Sequence, residues 1–110
     1  MLLGAIIYLI VSVIILIIGI LNLKGNISMV HSYHIENIKP EDKLKFAKLM
    51  GIGMVIIGVS FFIAGIAMIL SNVFTNDLFM IINIVVTIVG FIIGMIICIY
   101  SIKKYNKTIF

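Results

Sequence analysis

The side chains best able to bind a metal ion or exchange a proton lie in one short run, His31-Ser32-Tyr33-His34, which is followed by Glu36. Two histidines three residues apart share a face if the segment is helical. Neutral imidazole is a common ligand for zinc, copper or nickel. Histidine also titrates near neutral pH, so a pH-sensitive segment is a second interpretation of the same pair.

A metal ion at this segment would need ligands beyond the two histidines. The nearby carboxylates are Glu36 within the run and the pair Glu41-Asp42 beyond it. None falls at a spacing diagnostic of a known metal site, so we predict no metal and no cofactor. Ordinary interfacial side chains and a site for a partner or a lipid headgroup remain the other interpretations. The candidate loop site consists of His31, Tyr33, His34 and Glu36.

No catalytic constellation stands out elsewhere in the sequence. It contains no GxSxG, no HExxH and no phosphate-binding glycine loop. Cys98 is the only cysteine, so no disulfide can form within one chain, and we interpret it as a small packing residue. The sequence therefore predicts that the protein is not an enzyme.

Three long uncharged stretches must position these groups: Met1–Leu23, Leu49–Asn76 and Leu78–Ile102. Each exceeds the roughly 20 apolar residues that a spanning helix needs. The chain is 64% hydrophobic and 11% charged, and the stretches are apolar on all sides without the alternation of a membrane barrel. We expect an all-α membrane protein with three transmembrane helices, forming a single domain over residues 1–110.

The lysines predict the orientation. All eight lie within residues 24–48 or 103–107, which assigns both segments to the cytoplasm and the N-terminus to the outside. We expect spans at about 1–23, 49–71 and 78–102, a cytoplasmic loop over 24–48 and a cytoplasmic tail over 103–110. Orientation and attraction to anionic lipid headgroups account for the net charge of +4, so no nucleic-acid partner is implied.

The residue usage indicates the source. Isoleucine, lysine and asparagine are abundant, and arginine and tryptophan are absent, which indicates a bacterium with an AT-rich genome. The membrane is then expected to be the bacterial plasma membrane.

Local signals mark where two of the helices end or begin. Lys24-Gly25 suits a helix C-terminus with a left-handed cap. Pro40-Glu41-Asp42 suits a helix start, where the first amides favour negative charge, and predicts a short interfacial helix before the second span. In that helix we expect Leu44, Phe46 and Ala47 to face lipid while the neighbouring lysines reach the headgroups.

Small and polar residues form a seam along each span. Such seams pack helices closely, and the seam of the third span contains a GxxxG motif that could also join copies of the chain. In the third span the seam is Asn83, Thr87, Gly90, Gly94, Cys98 and Ser101; in the second it is Gly51, Gly58 and Gly65; in the first it is Gly4, Ser12 and Gly19.

The polar pair within the third span has two interpretations. Asn83 and Thr87 can bond across helices, or they can line a narrow pore. No ionisable Asp, Glu, Lys, Arg or His lies within a predicted span, which disfavours a proton-coupled pump. For the connection before this span, Thr75 or Asn76 could cap the third helix.

An ordered string of residues around the first loop resembles a family of small, uncharacterised bacterial membrane proteins. The string covers about residues 23–65 and contains Gly25-Asn26-Ile27-Ser28, His31-Ser32-Tyr33-His34, Glu41-Asp42-Lys43 and Lys48-Leu49-Met50-Gly51-Ile52-Gly53. The resemblance implies one span, a cytoplasmic loop with the histidine motif, and then two or more spans, and it implies no activity. The chain departs from the family pattern at 35–37, where a more basic segment is expected. A looser resemblance is to membrane immunity proteins that protect bacteria from their own peptide toxins.

Three hypotheses for the function follow. The first is a noncatalytic accessory or regulatory subunit that self-associates or binds a larger membrane partner through the small-residue seams. The second is toxin immunity, or ligand or metal binding, through His31 and His34. The third is a small oligomeric channel or transporter in which Asn83 and Thr87 face a pore.

Overall fold

The structure is a computed structural model that describes residues 2–25 and 39–105, and in these ranges it is almost entirely helical. Helix α1 spans Leu2–Leu23, helix α2 spans Lys43–Phe74 and helix α3 spans Asp77–Tyr105. All three are long and apolar enough to cross a membrane. The predicted all-α class with three potential transmembrane helices is confirmed, and the chain is a multi-pass membrane protein.

Helix α1 ends as its last residues predict. Gly25 adopts a φ of +95°, a left-handed conformation that glycine reaches without steric cost. Its amide donates a hydrogen bond of 2.9 Å to the carbonyl of Asn22, and the Lys24 amide donates to Ile20 at 3.1 Å. These bonds satisfy carbonyls that the end of the helix would otherwise leave without a partner.

Helix α2 is preceded by one 3-10 turn at Pro40–Asp42, so the helical segment begins at the predicted proline. The turn continues directly into the 32 residues of α2. Together they cover about 52 Å at roughly 1.5 Å per residue, which exceeds the roughly 30 Å hydrocarbon core. The segment that starts at Pro40 is continuous with the second potential span, and its position at a membrane surface stays a prediction.

The connection between α2 and α3 consists of only Thr75 and Asn76. Thr75 has a φ of 48°, a left-handed conformation that ends α2. Asn76 then caps α3, because its side-chain oxygen accepts a hydrogen bond of 2.9 Å from the amide of Leu78. So short a connection makes α2 and α3 antiparallel neighbours.

Helix α2 is the centre of the bundle. It packs against both α1 and α3, whereas α1 and α3 have almost no backbone contact with each other in the described residues. Two rows of α2 residues make these interfaces, and the α3-facing row has the alternating steps of four and three that are seen in a coiled coil. The α3-facing row consists of Phe46, Met50, Gly53, Ile57, Ser60 and Ala64. The α1-facing row includes Gly51, Val55, Gly58, Gly65 and Met68.

One expectation about the start of α2 is wrong. Leu44 is 53% exposed, but Phe46 and Ala47 are fully buried rather than facing lipid. The Phe46 ring lies edge to face with the ring of Tyr105, with centroids 6.5 Å apart. The physical reason is that Phe46 belongs to the α3-facing row, so α3 covers its side chain. The flanking lysines had suggested that this position faces lipid.

The antiparallel arrangement separates charge between the two ends of the bundle. The end of α1, the start of α2 and the end of α3 lie together, and we call this the lysine-rich end. Its described lysines are Lys24, Lys39, Lys43, Lys45, Lys48, Lys103 and Lys104. At the opposite end, Asp77 is the only charged side chain among the described residues.

Candidate functional site

The candidate loop site cannot be placed in this bundle, because His31, Tyr33, His34 and Glu36 lie outside the described residues. The residues that flank the segment, Gly25 and Lys39, adjoin the end of α1 and the start of α2. A Cβ atom on Gly25 would lie 3.1 Å from Cδ1 of Leu44, so the end of α1 approaches the first turn of α2. The segment thus begins and ends at the lysine-rich end.

The seam of α3 faces α2 of the same chain. Asn83, Gly90, Gly94 and Cys98 are buried, and each of them contacts the α3-facing row of α2. A Cβ on Gly53 would lie 2.8 Å from the carbonyl oxygen of Gly94. A Cβ on Gly94 would lie 2.7 Å from the carbonyl oxygen of Gly53. The two backbones approach so closely that only glycine fits on either side.

Asn83 makes the shortest described hydrogen bond between two helices. Its side-chain nitrogen donates to the carbonyl of Ala64 on α2 at 2.7 Å, and the residue is only 3% exposed. A buried amide in an apolar environment costs free energy unless it is paired, so this bond favours one register of α3 on α2. The geometry is that of an interhelical bond rather than of a side chain that lines a pore.

Two further donors of α3 reach α2 toward the lysine-rich end. The hydroxyl of Ser101 donates to the carbonyl of Phe46 at 3.3 Å. The thiol of Cys98 donates weakly to the carbonyl of Met50 at 3.9 Å. Both side chains are buried, so the single thiol is enclosed in the interface between α2 and α3.

The α1-facing row of α2 has different chemistry. Three seam glycines of α2 each pack against a leucine of α1: Gly51 against Leu23, Gly58 against Leu16 and Gly65 against Leu9. The contacts repeat every seven residues on both helices, in opposite chain directions. A Cβ on Gly51 would lie 2.7 Å from the amide nitrogen of Leu23 and 2.8 Å from the carbonyl oxygen of Gly19. The described residues contain no side-chain hydrogen bond from α1 to α2, so close packing alone forms this interface.

Ser12 and Asn22 of α1 are also buried, but neither bonds to a neighbouring helix within the described residues. Ser12 donates to the carbonyl of Leu9 on its own helix at 2.7 Å. Asn22 is 1% exposed, and its side-chain oxygen accepts no hydrogen bond from the described part of the chain. Serine bonding back to its own helix is common and adds nothing between helices.

A polar contact between α1 and α3 lies beside an open apolar groove. The hydroxyls of Tyr8 and Thr87 are 3.4 Å apart, and Thr87 also donates to the carbonyl of Asn83 at 2.7 Å. The groove of about 220 Å³ is lined by Ile7, Tyr8, Val11, Phe61 and Thr87. The Thr87 hydroxyl bonds to the backbone and lies beside the Tyr8 hydroxyl, so the groove presents an essentially apolar surface.

The outward faces of α1 and α3 are almost purely aliphatic. On α1 the strongly exposed side chains include Ile10, Ile14 and Ile17, and on α3 they include Ile88, Ile92 and Ile96. Branched aliphatic side chains facing outward are what a lipid environment accepts. Polar groups within the helices therefore face inward, and the described surface offers no continuous polar path along the bundle.

Some packing residues were missed by the sequence reasoning. Ser60 packs against Gly90, and its hydroxyl donates to the carbonyl of Ile56 on its own helix at 2.7 Å. Tyr8 was missed as well, although a lone tyrosine in an apolar span usually has a hydrogen-bond partner. The lone tyrosine could have identified Tyr8, and the spacing of seven residues from Gly53 could have identified Ser60.

The described residues contain no group of three His, Cys, Asp or Glu side chains that could hold a metal ion. Their strongest electrostatic feature is the lysine-rich end, where Lys104 lies 5.7 Å from the ring centre of Tyr100 and 5.3 Å from that of Tyr105. These distances suit cation–π contacts, which hold the ammonium group beside the aromatic side chains.

The likeness of residues 23–65 to a family of small bacterial membrane proteins stays a prediction, as does the looser likeness to immunity proteins. No protein-family model matches the chain, and no similar protein was found among curated proteins or solved structures.

Proposed function

We propose that this chain is a noncatalytic integral membrane protein of the bacterial plasma membrane that serves as an accessory or regulatory subunit. The observation that carries the proposal is the direction of its polar side chains. Asn83, Cys98 and Ser101 donate to backbone carbonyls of the same chain. A bundle that uses its intramembrane polar groups to hold itself together is suited to binding rather than to catalysis or transport.

The packing also bears on which surface a partner would use. Gly90 and Gly94 of the GxxxG motif are buried against α2, so this face has no room for a second copy while the bundle is intact. The surfaces that remain are the aliphatic outer faces of α1 and α3 and the lysine-rich end. In the proposed orientation the lysine-rich end is cytoplasmic, following the positive-inside rule.

Purification from native membranes tests the proposal. A tagged chain with a photoreactive amino acid at Ile88 or Ile14, both outward facing, would be crosslinked in cells and purified in mild detergent. We expect a discrete adduct with a membrane protein from one of these positions. The matched control is the same amino acid at Ile57, which is also an isoleucine but is only 4% exposed and should give no adduct. If neither outer position yields an adduct at native abundance, the proposal is wrong.

A second candidate function is ligand recognition or toxin immunity through His31 and His34. It is supported by the position of the segment, which begins and ends at the charged end of the bundle, where polar ligands are accessible. Replacing both histidines by alanine should abolish binding or protection while leaving the helical bundle intact. A double variant that retains every phenotype of the parent would exclude this function.

A further inference from the structure

Four exposed lysines from two neighbouring helices lie at the same level of the lysine-rich end. Lys43 and Lys45 belong to the first turns of α2, Lys103 and Lys104 belong to the last turn of α3, and all four are exposed. The bond from Ser101 to the Phe46 carbonyl fixes the two helices at this level. We call these four residues the α2–α3 lysine cluster.

The register of the helices gives the depth of this cluster. Leu23, the last residue of α1, is in contact with Gly51, so Gly51 marks the level at which the apolar helix α1 ends. Lys45 and Lys43 lie six and eight residues before Gly51, or about 9 and 12 Å further out along α2. The headgroup layer extends about 5–8 Å beyond the hydrocarbon core, and lysine side chains can bend back toward it. The ammonium groups therefore reach the layer that contains the lipid phosphates.

The local charge suits an anionic ligand. Glu41 and Asp42 are the only carboxylates at this end among the described residues, against seven lysines, so the described residues of this end carry a net charge of +5. In addition, the Tyr100 and Tyr105 rings hold the Lys104 ammonium group near the helix surface. Juxtamembrane clusters of four to eight lysines attract anionic lipids in proportion to their number.

We propose that the α2–α3 lysine cluster binds the phosphate groups of anionic phospholipids, so that the protein gathers such lipids around one end of its bundle. The recognised chemistry is a phosphate diester with a net negative charge, held in a bilayer. Zwitterionic headgroups have the same phosphate but carry a compensating ammonium group, and they bind less well. Each contact between a lysine and an anionic lipid should favour that lipid by about fivefold at low salt.

The full chain reconstituted in phosphatidylcholine vesicles provides the test. Spin-labelled phosphatidylglycerol and spin-labelled phosphatidylcholine would be added in parallel, and electron paramagnetic resonance would measure the protein-bound fraction of each. For the parent chain we expect a preference of about fivefold for phosphatidylglycerol, which 0.5 M salt should largely screen. The variant K43Q/K45Q/K103Q/K104Q should fall below twofold, and the matched variant with four arginines should keep the preference.

Three outcomes would overturn the proposal. The first is an equal bound fraction of both lipids in the parent chain. The second is an undiminished preference in the four-glutamine variant, which would assign the effect to other groups; K24Q/K39Q/K48Q tests the remaining described lysines in the same way. The third is complete competition by about 10 mM soluble glycerophosphate, which would identify the ligand as a free phosphate ester. The four side chains are exposed, and circular dichroism would check that the variants remain helical.

Discussion

The two faces of α2 hold their neighbours by different means. Toward α1, three glycines receive leucine side chains, and the described residues of the interface have no side-chain donor between the helices. Toward α3, glycines also permit close approach, but Asn83, Cys98 and Ser101 add hydrogen bonds to carbonyls of α2. One helix thus presents a packed interface and a hydrogen-bonded interface within the same bundle.

This difference matters because lipid changes the energetics of helix association. In a bilayer, lipid tails are as apolar as leucine, so burying leucine against a helix gains only close packing. Each interhelical hydrogen bond adds about 0.6 kcal/mol on average, with larger values for well-buried partners. We therefore expect the hairpin of α2 and α3 to be the more stable unit and α1 to separate from it more readily.

The largest effect should come from Gly94→Ala in the hydrogen-bonded interface. The new Cβ would lie 2.7 Å from the Gly53 carbonyl oxygen and would also press on Ile57, so the helices must separate. We expect a loss of about 2–3 kcal/mol in the free energy of unfolding, measured by SDS titration in mixed micelles. Cys98, which is 5% exposed, should also react faster with a thiol reagent.

The matched control for that substitution is Gly4→Ala. Its Cβ would meet mainly Sδ of Met68 at 3.1 Å, the far part of a flexible side chain that can move. We expect a change below about 0.5 kcal/mol. Equal stability of the two alanine variants would contradict the close approach of Gly53 and Gly94.

A smaller loss should follow from Gly58→Ala in the α1-facing interface. The added methyl group would lie 2.7 Å from Cγ of Leu16 but 3.2 Å from the nearest backbone atom of α1, so the leucine can partly adjust. We expect a loss of about 1–2 kcal/mol by the same titration. Because α3 keeps its own contacts, Cys98 should stay as unreactive as in the parent. Exposure of Cys98 in this variant would show that the two interfaces open together.

Asn83→Ala removes the hydrogen bond to Ala64 and should cost about 1 kcal/mol. The carbonyl of Ala64 keeps its hydrogen bond within α2, so the substitution leaves no acceptor without a partner. The expected loss of stability is therefore that of the interhelical bond alone. Asn72→Ala is the matched control, since Asn72 is exposed near the end of α2. If the Asn83 and Asn72 variants unfold at the same SDS concentration, the bond contributes nothing to the interface.

The smallest effect should come from Tyr8→Phe, which removes the hydroxyl between α1 and α3. At 3.4 Å this bond is long, and Thr87 keeps its bond of 2.7 Å to the Asn83 carbonyl. The ring contact with Phe61, at 5.7 Å between centroids, should survive. We expect a change below about 0.5 kcal/mol in the titration. A loss above 1 kcal/mol would mean that α1 depends on this polar contact and not on packing alone.

The sequence was sufficient for the three helices and for some of their boundaries. Uncharged runs longer than a bilayer is thick predict the three helices, and the signals at Gly25 and Pro40 place an end and a start correctly. Thr75 and Asn76 were alternatives as the cap of α3, and the hydrogen bond to Leu78 identifies Asn76. Such signals are local, so they can be interpreted without knowing the neighbouring helix.

The partner of each seam was harder to predict. Spacing grouped Asn83, Gly90, Gly94 and Cys98 on one face of α3, but spacing does not say whether that face meets α2 or another copy of the chain. The prediction that Phe46 faces lipid was wrong, because the nearby lysines suggested a position at the membrane surface. Its distance of seven residues from Gly53 places both in one heptad row, and this signal outweighs the local charges.

The most direct test of the account is a disulfide between α2 and α3 of one chain. Introducing Met50→Cys places a second thiol in the buried cluster that contains Cys98, whose sulfur lies 3.9 Å from the Met50 carbonyl oxygen. Membranes containing this variant would be oxidised, and the products would be separated by non-reducing electrophoresis and mass spectrometry. We predict an oxidised monomer that is two mass units lighter than the reduced chain and has no titratable thiol. Disulfide-linked dimers through Cys98 would contradict the packing of the α3 seam against α2 of the same chain.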